Sequence, residues 1–172
     1  MRRIALCLLL LLVALPAAAQ QTELYDGGVS LQLPADFRPM TRDEITRKYP
    51  RSQPPQFAFT DGDGLTQTIA VSRWQFSPGS PPPLSDLGAD MYRRVAVQSG
   101  ITMRRNGLVE IGARQWYALE FTVQAVDQPI ENLMRITTIN NYIVILAASV
   151  TSKLYPEREE ALRTAIESAT VR

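Results

Sequence analysis

Three consecutive runs in the C-terminal half limit what this chain can fold into. Trp116 to Val126 and Ile130 to Ile139 alternate along their length, and Tyr142 to Val150 is apolar almost throughout. Only Asp127-Gln128-Pro129 and Asn140-Asn141 separate them. A period of two sends successive side chains to opposite faces of a strand. Connections this short join antiparallel neighbours, because a parallel pair needs a long crossover. In the first run Tyr117, Leu119, Phe121 and Val123 point one way, and Trp116, Ala118, Glu120 and Thr122 the other. The last run reads as a central strand covered on both faces. The core of the chain is therefore an antiparallel meander.

The remaining segments supply its neighbours. Glu23 to Leu33 reads as two short strands around Gly27-Gly28, with Val29, Leu31 and Leu33 on a buried face and Pro34 ending the second strand. Thr41 and Glu44 form a capping box that predicts a helix from Thr41 to Lys48, halted before Pro50. Gln56 to Thr60 and Leu65 to Phe76 are predicted strands joined at Asp61-Gly62-Asp63-Gly64. Residues 77–84, SPGSPPPL, form a stiff extended connector. Ser85 is expected to cap a helix running to about Ser99 and ended by Gly100. Its apolar stripe is Leu84, Leu87, Met91 and Val95, with an Asp90–Arg94 pair on the surface. Ile101 to Ile111 is β, and its Asn106-Gly107 is either a hairpin turn or a kink within one strand. Gly112-Ala113 is a further turn, and Pro156 opens a last helix with the stripe Leu162, Ala165, Ile166 and Ala169. The expected fold class is α+β: an antiparallel β-sheet flanked by helices, an α/β/α sandwich.

The N-terminus reads as an address. Met1-Arg2-Arg3, the apolar run Ile4 to Leu15 and Pro16-Ala17-Ala18-Ala19 have the order of a secretory signal peptide. Cleavage is expected after Ala19, leaving Gln20 at the front of a single domain, residues 20–172, in the periplasm or outside the cell. Cys7 is the one cysteine, and histidine is absent. The trimmed domain therefore has neither residue. That excludes zinc sites of the usual Cys/His type, Ser-His-Asp and Cys-His nucleophiles, and haem held by histidine. A formal net charge of +1 gives no field that would gather nucleic acid.

Asp61-Gly62-Asp63-Gly64 lacks the further acids of a calcium loop and reads as a hairpin tip. Asp86 with Asp90, and Glu157 with Glu159 and Glu160, sit at helix starts or on solvent faces, where they complement the helix dipole. A carboxylate-based hydrolase would need two of them facing one cleft. Arg93-Arg94 and Arg104-Arg105 read as solvated surface. No catalytic, cofactor-binding or metal-ligating residue is expected, and no cofactor. The remaining candidates are Trp74, Phe76 and Trp116, which are core if a helix covers them and a partner or ligand site if their face is open.

Gly28-Val29-Ser30-Leu31-Gln32-Leu33-Pro34 with Phe37, the stretch Ile45 to Pro54, Gly112-Ala113-Arg114-Gln115-Trp116-Tyr117, Asn132 and the terminal helix together resemble the PsbP-like superfamily. That superfamily also holds DcrB-type bacterial proteins and the yeast Ran-binding Mog protein. The resemblance covers most of residues 23–172 and implies a non-enzymatic binder of a protein partner or small ligand. It transfers no catalytic motif to any position. An envelope immunity or inhibitor protein against a secreted toxin is the alternative within binding.

Overall fold

The computed structural model describes residues 19–50, 53–62, 65–76 and 79–172. The expected signal segment before Ala19 lies outside the described residues, as do Asp63-Gly64 of the hairpin tip and Ser77-Pro78 of the connector. Gln20 is the first residue of strand β1 (Gln20–Leu24), which pairs antiparallel with β2 (Val29–Leu33). Next come β3 (Phe37–Pro39), helix α1 (Arg42–Lys48), β4 (Phe57–Asp61) and β5 (Gln67–Gln75). Helix α2 (Leu84–Ala96) leads to the long strands β6 (Ile101–Ile111), β7 (Arg114–Gln124), β8 (Pro129–Ile139) and β9 (Tyr142–Thr151). Helix α3 (Tyr155–Glu167) and the two-residue β10 (Thr170–Val171) complete the chain.

Both sheets are antiparallel. The large one has the order β3-β4-β5-β9-β8-β7-β6, the small one β1-β2-β10. The meander is as expected, and α1 has its capping box: the Thr41 hydroxyl accepts from the Glu44 amide, and the Glu44 carboxylate accepts from the Thr41 amide. Two details differ from expectation, and one open alternative is decided. Pro83, not Ser85, stands at the N-cap of α2, and no side chain caps it. Ile101 to Ile111 is one strand, paired with β7 along its length. Its irregularity is a bulge between Met103 and Arg105, while Gly107 absorbs a φ of +134° with nothing near its α-carbon side. Finally, β3 and β10 add strands that no periodicity announces, being three and two residues long.

The large sheet is buried on both faces by different partners. One face carries Val71, Leu133, Val144, Leu146 and Val150, and packs against α3 and against Val29, Leu31 and Leu33 of the small sheet. The other carries Tyr117, Leu119, Phe121, Ile136 and Ile145, against which α2 lays Leu84, Leu87, Met91 and Val95. Gly88 lets α2 approach closely. A Cβ there would sit 2.1 Å from the Tyr117 ring. The turn after β1 is pinned separately: the Arg73 guanidinium lies 4.2 Å from the Tyr25 ring and 4.8 Å from that of Tyr142.

Charge fixes α3 to its face. Arg135 is wholly buried and donates to Glu120 (2.9 Å) and Glu167 (2.6 Å). Arg163 of α3 donates to both oxygens of Glu120, at 2.7 and 3.1 Å, and to Glu159 at 2.9 Å. Burial raises the Glu120 pKa, but the Arg163 hydrogen bonds and the Arg135 charge outweigh it and hold the group below the usual carboxylate range. Glu131 behaves alike: burial raises it, and bonds from Ser152, Arg104 and Thr122 bring it down.

Gly88→Ala should lower stability by about 1–3 kcal/mol through overpacking against Tyr117, read as a lower urea midpoint. Glu120→Gln should cost about 3 kcal/mol at neutral pH, since it removes a charge partner of buried Arg135. Because Glu120 and Glu131 protonate at lower pH folded than unfolded, their contribution is present above the ordinary carboxylate range. It is lost as pH falls through that range toward the folded values. Urea midpoints measured from pH 7 to pH 3 should therefore fall (about, by linkage, in step with protonation), and fall less steeply in Glu120→Gln.

Candidate functional site

α2 packs on β6, β7 and β8. Where its cover ends, over β9 and β5, a groove of about 570 Å³ opens. The β5–β9 register builds it, placing Trp74 opposite Ile143 on the face that also carries Ile145. Phe76 follows the end of β5, held there by its amide donating to the Asn141 carbonyl at 2.7 Å. From α2 come Leu87 and Met91, four residues apart and so on one helix face. Pro82 closes the connector end. Ile145 is buried, Phe76 and Ile143 are half-buried, and Trp74 is 38% exposed at the lip.

Charged groups line only the rim. Arg94 Nε donates to Asp90 at 2.6 Å, and Arg93 donates to the same carboxyl at 3.4 Å. The Arg94 hydrogen bond holds the Asp90 carboxyl below its usual range. Asp86 is exposed, and its carboxylate accepts from the Ser85 hydroxyl at 3.4 Å. Among the described residues no cationic side chain forms an ion pair with it. An ionised Asp90 is the opposite of the raised acid that an acid–base pair requires. What the groove offers is apolar surface, two aromatic rings and a polar rim, the ordinary make-up of a binding site.

The structure separates the three aromatic candidates. Trp74 and Phe76 line the groove together. Trp116 is 0% exposed on the opposite face of the large sheet, in the core beneath α3 and the small sheet. It cannot reach the groove, because Trp116 and Tyr117 are successive residues of one strand and Tyr117 is the one facing α2.

Several of the other candidates are held in structural ties. The Asp61 carboxylate accepts from Thr66 and from the Gln67 side chain, both at 3.0 Å. Arg104 pairs with Glu131 and Arg105 lies 3.6 Å from Glu120, so these neighbours serve different carboxylates. Glu159 is engaged by Arg163. No group of three or more Cys, His, Asp or Glu side chains that could hold a metal ion occurs among the described residues. Nothing in the sequence marks Leu87, Met91, Ile143 and Ile145 as groove residues, since their periodicity says only that they face inward.

No family model matches the sequence, and no curated protein is significantly similar to it. Solved structures do match. The cyanobacterial PsbP (CyanoP) of Synechocystis has 15% identity and a TM-score of 0.66, over 93% of this chain and 96% of that one. The Saccharomyces cerevisiae Ran-binding protein Mog1p has 10% identity and a TM-score of 0.54, over 89% and 95%. LpqN of Mycobacterium tuberculosis, described as involved in cell envelope biogenesis, has 12% identity and a TM-score of 0.55, over 88% and 89%. Identities this low speak for architecture alone, and on that ground the chain has the PsbP-like, Mog1-like α+β fold.

Proposed function

We propose that the protein is an exported, non-enzymatic binding module that recognises a small ligand, or an apolar side chain of a protein partner, in the groove between α2 and the β5–β9 pair. One observation carries this reading: a groove of about 570 Å³, lined mainly by apolar and aromatic side chains, lies open between α2 and the large sheet. That volume lies within the roughly 300–1,000 Å³ of small-molecule sites. The partly exposed Trp74 at its lip supports the same reading, since exposed aromatics beside apolar pockets are frequent binding anchors. Export rests on the signal-like N-terminus, and the non-enzymatic reading on the absence of histidine and, after cleavage, of cysteine. No helix among the described residues is long and apolar enough to cross a membrane. An inhibitor or immunity role would use the same groove on a toxin.

Trp74 provides the test. A polarity-sensitive apolar dye should bind purified residues 20–172 at one saturable site and quench Trp74 emission, leaving that of buried Trp116 unchanged. Trp74→Ala with Leu87→Gln should abolish saturable binding while far-UV circular dichroism persists. Binding that survives the double variant defeats the reading. Export is checked by fractionation and intact mass: a chain beginning at Gln20 in the envelope fraction is expected, and a Met1-bearing chain confined to the cytoplasm overturns it.

A further inference from the structure

A second cavity, of about 190 Å³, lies where the β6–β7 turn meets β10, on the face of the large sheet away from the groove. Ile111 and Val171 give it apolar walls. Arg114 and Trp116 line it too, two residues apart and so on one face of β7. The Trp116 Nε1–H is buried and finds no acceptor among the described residues. Arg114 donates to the Thr138 carbonyl at 3.1 Å and to the Val171 carbonyl at 3.5 Å. Those bonds leave most of its guanidinium N–H groups unspent. No ion pair among the described residues includes Arg114. The Thr170 hydroxyl beside the cavity is already engaged with that of Ser30 at 2.7 Å.

Folded proteins rarely leave a buried donor unmet, so the indole N–H constrains what fills this space. An indole N–H and a guanidinium can only donate. Their common partner is an acceptor, and an anionic acceptor also balances the Arg114 charge. A single water needs only about 10–15 Å³ of such space, far less than the cavity holds. We propose that the cavity binds a small carboxylate, its oxygens shared between Trp116 Nε1 and Arg114 and its short apolar body against Ile111 and Val171. The site is independent of the groove, and either can fail without the other.

The two tryptophans give two indole N–H resonances in proton–nitrogen correlation spectra of residues 20–172, and Trp74→Phe tells them apart. Propanoate is the probe, and propanamide is its uncharged isostere. The Trp116 indole proton is expected to move downfield saturably with propanoate, with a Kd of about 1 mM or tighter, while that of Trp74 stays in place. Propanamide should bind about tenfold more weakly, for want of charge-assisted bonds. Arg114→Gln should weaken propanoate about fivefold with far-UV circular dichroism unchanged. N-acetylglycine carries the carboxylate that ends a peptide. Tighter binding than propanoate assigns the site to a chain terminus and weaker binding to a free acid, and both keep the carboxylate. A Trp116 resonance indifferent to propanoate in the folded protein overturns the proposal, and the indole is then met by water. Equal affinity for propanoate and propanamide in the parent protein overturns it as well, whether or not Arg114→Gln folds. So does a folded Arg114→Gln that binds propanoate like the parent.

Discussion

One helix has to cover a face made of seven strands, and it is too short to do so. α2 has 13 residues, or roughly 20 Å of length at 1.5 Å per residue. Seven strands about 4.8 Å apart span roughly 30 Å. The opposite face has α3 and the whole small sheet to cover it, and there the core closes around Trp116 and Leu133. The α2 face is sealed over β6 to β8, where Gly88 lets the helix press on Tyr117. Toward β5 the cover runs out. The groove is the direct result of this mismatch, and Trp74 and Phe76 are the residues the helix leaves uncovered.

The two faces are also held by different physics. α2 is attached by apolar packing with surface ion pairs at most, so its position is set by side-chain shape. α3 is attached by Arg135 and Glu120, both buried, clamped from outside by Arg163. Buried charges of this kind cost desolvation and repay it only in one geometry, which makes them specifiers of register more than sources of net stability. The α3 side is thereby fixed, while the α2 side, where the groove lies, depends on softer contacts.

Most of the fold could be read from the residues because period-two alternation persists over β7, β8 and β9 and turn residues separate them. The points the residues left open or placed wrongly have local causes. Asn106-Gly107 has turn chemistry, but ten pairings with β7 from Ile101 to Ile111 outweigh a two-residue preference. Ser85 has capping chemistry, but the chain enters α2 already extended by its prolines, and Pro83 takes the cap position one residue before the helix. β3 and β10 exist only through their partners, which lie far away in sequence. The lining of the candidate groove was half legible. Trp74 and Phe76 stood out as aromatics at a strand end, whereas Trp116 looked the same in sequence. Which face a single helix leaves bare is a property of the assembled layers and has no local signature.

The β5–β9 pairing has a consequence for how the protein matures. Trp74 and its floor residue Ile143 stand opposite each other although α2 and the whole meander lie between them in the chain. Contacts of such sequence separation form late, after the entropy of a long loop has been overcome. A half-assembled molecule, with its hairpins made but β9 not yet docked, has no cleft at all. A molecule bound in the cleft would therefore occupy finished copies alone and act as a seal of completed assembly, stabilising only the final state.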